Sequence, residues 1–225
     1  FYRMSTLQFF PVVNTEFYST WEDLDGQEVT VHSRGSGTEA LMRLMETQHG
    51  IEYSAVSYVP GSEVRAGAML QGAVKATIVD SSGFRLLTEQ GGGKFERLPL
   101  DGVNATDEAL YGNEAFLNER EADMAVFVEE LLRTWTEIND NPAVVADLRT
   151  QYDLLPDLPD QAVAEITPYF QGAVDDGMLP TAGGAPQDVI DDLTFLAAAG
   201  QVQAPEADLD TAQYWDFDLL AAARD

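Results

Sequence analysis

The residues best suited to chemistry form a turn rich in Gly, Ser and Thr, which reads Ser33-Arg34-Gly35-Ser36-Gly37-Thr38. A helix that begins at such a turn has unpaired backbone N–H groups at its start, with the positive end of the helix dipole behind them. This arrangement suits an anionic group. We expect the N–H groups of Gly37 and Thr38 to bind the anion. Further contacts to the anion would come from the hydroxyls of Ser33, Ser36 and Thr38. Arg34, the one nearby cation, would add its charge.

The same turn also has a purely structural interpretation. The run from Ser36 to Glu39 fits the capping box S-x-x-E, in which the side chains satisfy their own helix end. The carboxylate of Glu39 would also sit close to a bound anion, and Arg34 can equally be an exposed loop charge. Both interpretations remain open.

A dinucleotide site is not favoured, although Gly35 to Ala40 matches the loose pattern G-x-G-x-x-A. That fingerprint needs an acidic residue at the end of the second strand, and Pro60-Gly61 stand there instead. A nucleotide-binding dehydrogenase is therefore unsupported.

A second candidate site follows the apolar run Val74 to Val79. Asp80, Ser81 and Ser82 come directly after it, and open α/β sheets bind ligands at the carboxyl ends of their parallel strands. Asp80 can equally cap the helix that follows. The ligand-binding and capping interpretations again stay open.

No set of catalytic residues is evident. The two histidines, His32 and His49, have no visible catalytic partner, and the chain contains no cysteine. The serine-hydrolase, zinc-protease and EF-hand motifs are missing. The sequence therefore predicts no catalytic residue, no metal site and no cofactor.

The elements that must position these residues alternate between strand and helix from Glu28 onward, which predicts a parallel α/β sheet with right-handed crossovers. The predicted elements are strand Val29–His32, helix Gly37–His49 with Gly50 as C-cap, strand Ala55–Val59, a helix from Ser62 to Gln71 and strand Val74–Val79. Before them, Phe1 to Ser19 is expected to be an extended connector or strand.

After Asp101 the pattern becomes helical. The predicted helices are Asn118–Asn139, Asp160–Asp176, Pro186–Ala199 and Phe217–Ala223. Pro168 should interrupt or kink the second of them, because proline lacks the N–H that the helix needs.

The charge balance is strongly acidic, with 39 acidic against 12 basic side chains and a net charge of −27. Such a surface would repel itself at physiological salt, whereas molar salt shortens the Debye length to about 3 Å and screens that cost. The composition therefore suggests a halophilic source, and it argues against nucleic acid or anionic lipid as partners. No apolar run approaches the roughly 18 residues of a membrane span, so no membrane insertion of this segment is expected.

Several segments resemble solute-binding proteins of ABC importers, in the group that handles nitrate, sulfonates such as taurine, and thiamine pyrimidine precursors. They occur in the family's order: W-E-D-L-D-G-Q-E-V-T-V (Trp21 to Val31), the following G-S-G-T-E-A-L, A-M-L-Q-G-A-V-K-A-T-I-V-D (Ala68 to Asp80), the helix F-V-E-E-L-L-R-T-W-T-E-I-N-D-N-P, and Tyr214 to Phe217. One departure is Lys75, where the family usually has an acidic residue.

The resemblance implies an α/β, two-lobed type II periplasmic-binding-protein fold, with the N-terminal part of lobe 1 absent. Residues 1–27 would be a connector or lobe 1 remnant, and residues 28–100 would form lobe 2. Residues 101–225 would be a mainly helical return segment that completes lobe 1.

The implied function is the extracellular solute-binding component of an archaeal ABC importer, which clamps a small organic anion between two lobes without chemistry. Permease subunits would be its partners, and a segment not in this chain would anchor it to the cell surface. Two alternatives remain: an enzyme on the same fold, such as a thiamine pyrimidine-precursor synthase, or a ligand-sensing domain.

Overall fold

The structure is a computed structural model that describes residues 1–224. Asp225, the last residue of the predicted return segment, lies outside the described residues. The chain forms two compact units. Unit 1 contains Phe1–Leu7, Ala105–Ile190 and the described residues from Asp208 onward, and unit 2 contains Gln8–Asn104 and Asp191–Ala207. Which lobe of a two-lobed fold each range completes stays a prediction.

The seven strands of the described residues are β1 (Tyr2–Thr6), β2 (Phe9–Asn14), β3 (Glu28–Val31), β4 (Ala55–Tyr58), β5 (Ala76–Asp80), β6 (Phe95–Arg97) and β7 (Thr106–Leu110). Strands β2 to β6 build the five-stranded sheet of unit 2, in the order β4-β3-β5-β2-β6. Strands β1 and β7 form an antiparallel pair in unit 1.

The helices are α1 (Gly37–His49), α2 (Ser62–Leu70), α3 (Ser81–Gln90), α4 (Glu114–Glu119), α5 (Glu121–Asp140), α6 (Val144–Gln151), α7 (Asp160–Asp175), α8 (Pro186–Ala198) and α9 (Phe217–Ala222). Among the described residues, no helix combines the length and apolar character that crossing a membrane requires.

The predicted parallel pairing is confirmed for three strands, since β3 pairs in parallel with both β4 and β5. The sheet as a whole is mixed, because β2 lies antiparallel between β5 and β6. Sequence reasoning treated this stretch as a connector or strand and did not place it in the sheet. Its Val12 and Val13 are buried, and burial of these side chains favours a central position.

Helix α1 begins and ends where its sequence predicts. Ser36 is its N-cap in extended conformation, and Gly50 ends it in the left-handed region with φ 64°. Glycine adopts that conformation without the steric cost that a Cβ brings. The buried face of α1 includes Leu41, Met42 and Met45, and burial of this face favours one orientation of the helix and of its first turn.

One face of the unit 2 sheet is covered by α2 and α3. The cluster there consists of the buried residues Val12, Ala66, Met69, Val79, Leu87 and Phe95. Elsewhere in the same unit, the buried Trp21 donates from Nε1 to the carbonyl of Pro99 at 2.8 Å and stacks on His49. His49 also contacts Glu22 at 3.1 Å, so its role is structural in this conformation.

The two lysines of the chain lie at the amino ends of β5 and β6, the two strands that flank β2 in this sheet. Lys75 directly precedes β5, and its Nζ lies 4.2 Å from the ring centroid of Phe17. Lys94 directly precedes β6 and pairs with Glu16 at 2.9 Å. Both amines therefore contact the turn that follows β2.

In unit 1, α5 and α9 pack around a core that includes Tyr2, Val128 and Leu220. The helix predicted for Asn118–Asn139 is divided at Arg120, whose φ of −117° is not helical. Pro168 does not interrupt α7, which continues from Asp160 to Asp175 with the proline inside it. The prediction of an interruption was wrong, because the missing N–H removes one hydrogen bond from a sixteen-residue helix that the others sustain. The alternative, a kink at Pro168, stays a prediction.

Candidate functional site

The predicted site residues lie at one edge of the unit 2 sheet. The strands β3 and β5 are parallel neighbours, so their carboxyl ends meet at the same edge. Ser33 to Thr38 follow β3, and Asp80 to Ser82 end β5 and begin α3. The fold therefore brings both predicted groups to the edge where open α/β sheets bind ligands.

The first turn of α1 carries a capping arrangement. The N–H of Glu39 donates to Oγ of Ser36 at 3.3 Å, and the N–H of Gly35 donates to Oε2 of Glu39 at 2.6 Å. The glutamate thus reaches one residue further back than in the usual capping box, where it accepts from the N-cap residue. The fold therefore contains the capping hydrogen bonds that the structural interpretation of this turn predicts.

The hydroxyl groups of the turn are engaged with one another. Oγ of Ser36 donates to the carbonyl of Ser33 at 2.7 Å, so the 2.8 Å contact between Ser36 and Thr38 takes its hydrogen from Thr38. Oγ1 of Thr38 in turn accepts from the N–H of His32 at 3.0 Å. Because both hydroxyl hydrogens are used inside the turn, the expected hydroxyl contacts from Ser36 and Thr38 to an anion are not available in this conformation.

Two backbone donors remain at the start of α1. Within residues 1–224, no hydrogen bond uses the N–H of Gly37 or of Thr38. Gly37 is exposed, and a Cβ added to it would meet nothing within 4 Å. A small anion therefore has room beside the N–H of Gly37, whereas Thr38 is 2 % exposed and the part of its N–H in anion binding stays a prediction.

Glu39 is held in its charged form by its neighbours. Burial alone would raise its pKa, but hydrogen bonds from the Tyr58 hydroxyl (2.6 Å) and the Gly35 N–H, together with the charges of Arg43 and Arg34, lower the pKa below its ordinary value. The same hydrogen bond to Glu39, followed by burial, raises the pKa of Tyr58. Both carboxylate oxygens of Glu39 thus have donors, which reduces the repulsion that a nearby anion would feel.

Arg34 is exposed and lies over the ring of Tyr58, with its Cζ 5.3 Å from the ring centroid. The guanidinium therefore stays near the first turn of α1. His32, at the end of β3, accepts a hydrogen bond on Nδ1 from the N–H of Gly61 at 3.3 Å. In the neutral ring this places the proton on Nε2.

At the start of α3, Asp80 serves as a cap. Its Oδ1 accepts from the N–H of Gly83 at 2.7 Å, and its own N–H donates to Oγ of Ser62 at 2.9 Å. A Cβ on Gly83 would lie 2.7 Å from Oγ of Ser62 and 2.9 Å from Cβ of Val79, so only glycine allows this close approach. The role of Asp80, Ser81 and Ser82 in ligand binding stays a prediction.

Sequence reasoning missed Arg65, which lies at the same edge. This arginine is 1 % exposed. It donates from Nε to the carbonyl of Ile78 at 2.7 Å and from Nη1 to the carbonyls of Val59 and Gly61 at 2.8 and 3.2 Å. Burial lowers the pKa of Arg65, while the charge of Asp80 acts in the opposite direction. Arg65 therefore links the backbone that follows β4 to the backbone of β5.

The ring contacts of Arg97, the last residue of β6, were missed as well. Its Cζ lies 3.5 Å from the ring centroid of Phe10 and 4.2 Å from that of Phe84. No signal in the sequence links these three residues, because they belong to three different elements. A spacing argument within one element could not have found them.

Residues 1–224 contain no group of three or more histidine, aspartate or glutamate side chains placed to hold a metal ion. Unit 1 separately carries an open groove of about 650 Å³ along α5, and its lining includes Arg133, Glu137, Asp140 and Arg224. None of the residues singled out from the sequence lines it.

The comparisons with known proteins agree with this architecture. A family model described as NMT1/THI5 like matches residues 5–144. No curated protein matches the sequence.

Two solved structures of solute-binding proteins are similar in fold. The alkanesulfonate-binding protein SsuA from Xanthomonas axonopodis pv. citri, bound to MOPS, has a TM-score of 0.54 and 15 % identity, over 91 % of this chain and 70 % of that one. The periplasmic aliphatic sulphonate-binding protein SsuA from Escherichia coli has a TM-score of 0.52 and 17 % identity, over 98 % and 71 %. At such identities the likeness shows the fold, and the predicted α/β binding-protein fold is confirmed.

Proposed function

Since the chain belongs to the NMT1/THI5-like family, we propose that it is the extracellular solute-binding component of an ABC importer and that it holds a small organic anion. The names of two structurally similar proteins support this class of ligand, since one is an alkanesulfonate-binding protein and the other an aliphatic sulphonate-binding protein. A sulfonate is the leading candidate, with nitrate and carboxylates as further members of the panel to be tested.

The observation that carries the proposal is the pair of unused N–H groups on Gly37 and Thr38. They open a thirteen-residue helix at the carboxyl edge of the sheet, and the hydrogen-bonded turn before them holds their direction fixed. The positive end of the helix dipole lies behind them. An oxyanion would therefore accept first from the exposed Gly37, and the N–H of the buried Thr38 is proposed as the second donor.

Recognition would depend on short contacts. With a net charge of −27, the whole chain repels anions at long range, but this repulsion is screened in molar salt, where the Debye length is about 3 Å. Hydrogen bonds to the bound anion are screened far less, because they act over shorter distances. The acidic surface and the anion site are thus compatible in the high-salt environment that we propose for this protein.

We propose a binding role without chemistry. The enzyme alternative would depend on His32, but among the described residues no carboxylate pairs with its ring, and its Nδ1 already accepts from Gly61. The permease subunits as partners, anchoring at the cell surface and clamping of the ligand between two lobes follow from the family and stay predictions.

Calorimetry in molar salt with taurine, short alkanesulfonates, nitrate and small carboxylates tests the proposal. We expect one class to bind. Arg34→Ala should weaken that binding about two- to fivefold, the effect of one exposed charge. Arg43→Ala is the matched control, because Arg43 lies two turns into the same helix and pairs with Glu46.

If no anion of the panel binds even at millimolar concentration, the proposed function is wrong. If Arg34→Ala and Arg43→Ala have the same effect, the contribution assigned to Arg34 is wrong and the function itself stands.

A further inference from the structure

Tyr58, the last residue of β4, contacts both charged residues beside the start of α1. Its hydroxyl donates to Oε1 of Glu39, in the first turn of the helix, at 2.6 Å. The guanidinium of Arg34, in the turn before the helix, lies over its ring, with Cζ 5.3 Å from the ring centroid. One side chain of β4 therefore contacts both the turn and the helix that follows it.

These contacts close a circuit through the turn. The hydroxyl of Tyr58 holds one carboxylate oxygen of Glu39, and the other oxygen accepts from the N–H of Gly35 at 2.6 Å. Gly35 follows Arg34 in the chain, and the guanidinium of Arg34 returns to the ring of Tyr58. The ring is thus held by β4 at one end and by α1 at the other, which limits its freedom to turn away from Arg34.

The guanidinium of Arg34 remains available to a ligand. Across residues 1–224 it forms no ion pair and donates no hydrogen bond, so its five N–H groups have no protein acceptor. Arginine also has many rotamers, and ordering such a side chain on binding weakens affinity. Contact with a fixed ring reduces that loss, because the side chain is partly ordered before the ligand arrives.

We infer that Tyr58 is a positioning residue of the proposed anion position, and that its ring holds the guanidinium of Arg34 ready for the anion. The inference rests on the proposed function, which assigns Arg34 to that position. At an exposed site, contact between a cation and an aromatic ring favours the held arrangement by about two- to fivefold. Loss of the ring should therefore remove most of what Arg34 contributes to affinity.

A double-mutant cycle tests the coupling between the two side chains. Arg34→Ala is measured by calorimetry in molar salt in the wild type, Tyr58→Phe, Tyr58→Ile and Tyr58→Thr. Phenylalanine keeps the ring, whereas isoleucine and threonine remove it and suit a strand. The probe is ethanesulfonate, or nitrate or acetate where ethanesulfonate does not bind.

We expect Arg34→Ala to weaken binding about two- to fivefold in the wild type and by most of that factor in Tyr58→Phe, which lacks only the hydroxyl. In Tyr58→Ile and Tyr58→Thr the effect should fall below about 1.5-fold. Arg43→Ala is the matched control, and its effect should be the same whichever residue stands at position 58.

The outcomes separate the inference from its premise. If Arg34→Ala weakens binding equally with and without the ring, or has no effect in the wild type, the inference is overturned and the proposed function stands. If Tyr58→Phe behaves like the two ring-free variants, the ring is not the support and the inference again fails. If no anion of the panel binds, both proposals fail. Thermal unfolding of the two ring-free variants identifies a loss of binding that comes from loss of the fold.

Discussion

Replacing Gly37 by proline removes one hydrogen-bond donor from the proposed anion position and changes little else. Gly37 is the first residue of α1, and proline is well tolerated at that position because its missing N–H has no partner within the helix. Proline also requires an extended residue before it, and Ser36 already has φ −81° and ψ 160°. The backbone is therefore ready for the substitution.

The expected loss of affinity follows from the strength of one hydrogen bond to a charged acceptor, about 1.5–3 kcal/mol. Since each 1.4 kcal/mol is a factor of ten, complete loss would weaken binding by about 10- to 150-fold. The N–H of Thr38 remains and can take a larger share of the anion. We therefore expect the lower end, about tenfold.

Gly37→Ala is the matched control. It keeps the N–H group, and the added Cβ meets nothing within 4 Å. We expect its affinity to stay within about twofold of the wild type, since surface substitutions of this kind change free energies by no more than about 0.5 kcal/mol. Both variants should unfold at or slightly above the wild-type temperature, because each restricts the unfolded chain.

The assay is calorimetry with the same anion, in the same salt, on all three proteins. If Gly37→Pro binds as tightly as Gly37→Ala, the N–H of Gly37 is not a ligand contact, and the capping arrangement is the whole role of the turn. If both variants lose affinity equally, the added carbon atoms are responsible and the donor is not.

Two further predictions concern the structure around the site. Arg65→Met should lower the free energy of unfolding by about 2–4 kcal/mol, because the carbonyls of Ile78, Val59 and Gly61 lose a charged donor. Urea denaturation followed by circular dichroism measures this loss, with Arg43→Met as the control. A loss under about 1 kcal/mol, or one equal to that of Arg43→Met, would contradict the stabilising role of Arg65. The pKa of Glu39 is lower in the folded chain than its ordinary value of 4.5, so its contribution to stability is present above that pH and is lost as the pH falls through the folded pKa. Denaturation at a series of pH values should therefore show a smaller loss of stability in acid for Glu39→Gln than for the wild type. If the free energy of unfolding depends on pH in the same way for both proteins, the stabilising role of the Glu39 carboxylate is refuted.

The first turn of α1 and both ends of that helix could be predicted because their determinants are local. Ser36, Glu39 and Gly50 lie within or beside the helix that they cap, and each acts through backbone conformation or through a partner a few residues away. The order of strand and helix from Glu28 to Asp80 followed for the same reason, since hydrophobic spacing is a local signal.

The position of β2 and the contacts of Arg65 and Arg97 were not predictable in this way. Proline at position 11 and the run of aromatic residues before it resemble a connector, and only the antiparallel partners on both sides make the segment a central strand. Arg65 has the spacing of an ordinary helix residue, and its acceptors come from other segments of the chain. Contacts between distant segments depend on the assembled sheet, for which a single sequence contains no direct signal.

The placement of the two lysines has a practical consequence for attaching this protein to surfaces and labels. Lys75 and Lys94 directly precede β5 and β6, and the proposed anion position at the start of α1 lies beyond the opposite, carboxyl end of β3. A five-residue strand separates the two edges by roughly 16 Å. Reagents directed at lysine amines would therefore attach a fluorophore or a sensor chip to the edge of the sheet that faces away from the ligand, and the binding experiments could be performed on immobilised protein without blocking the site.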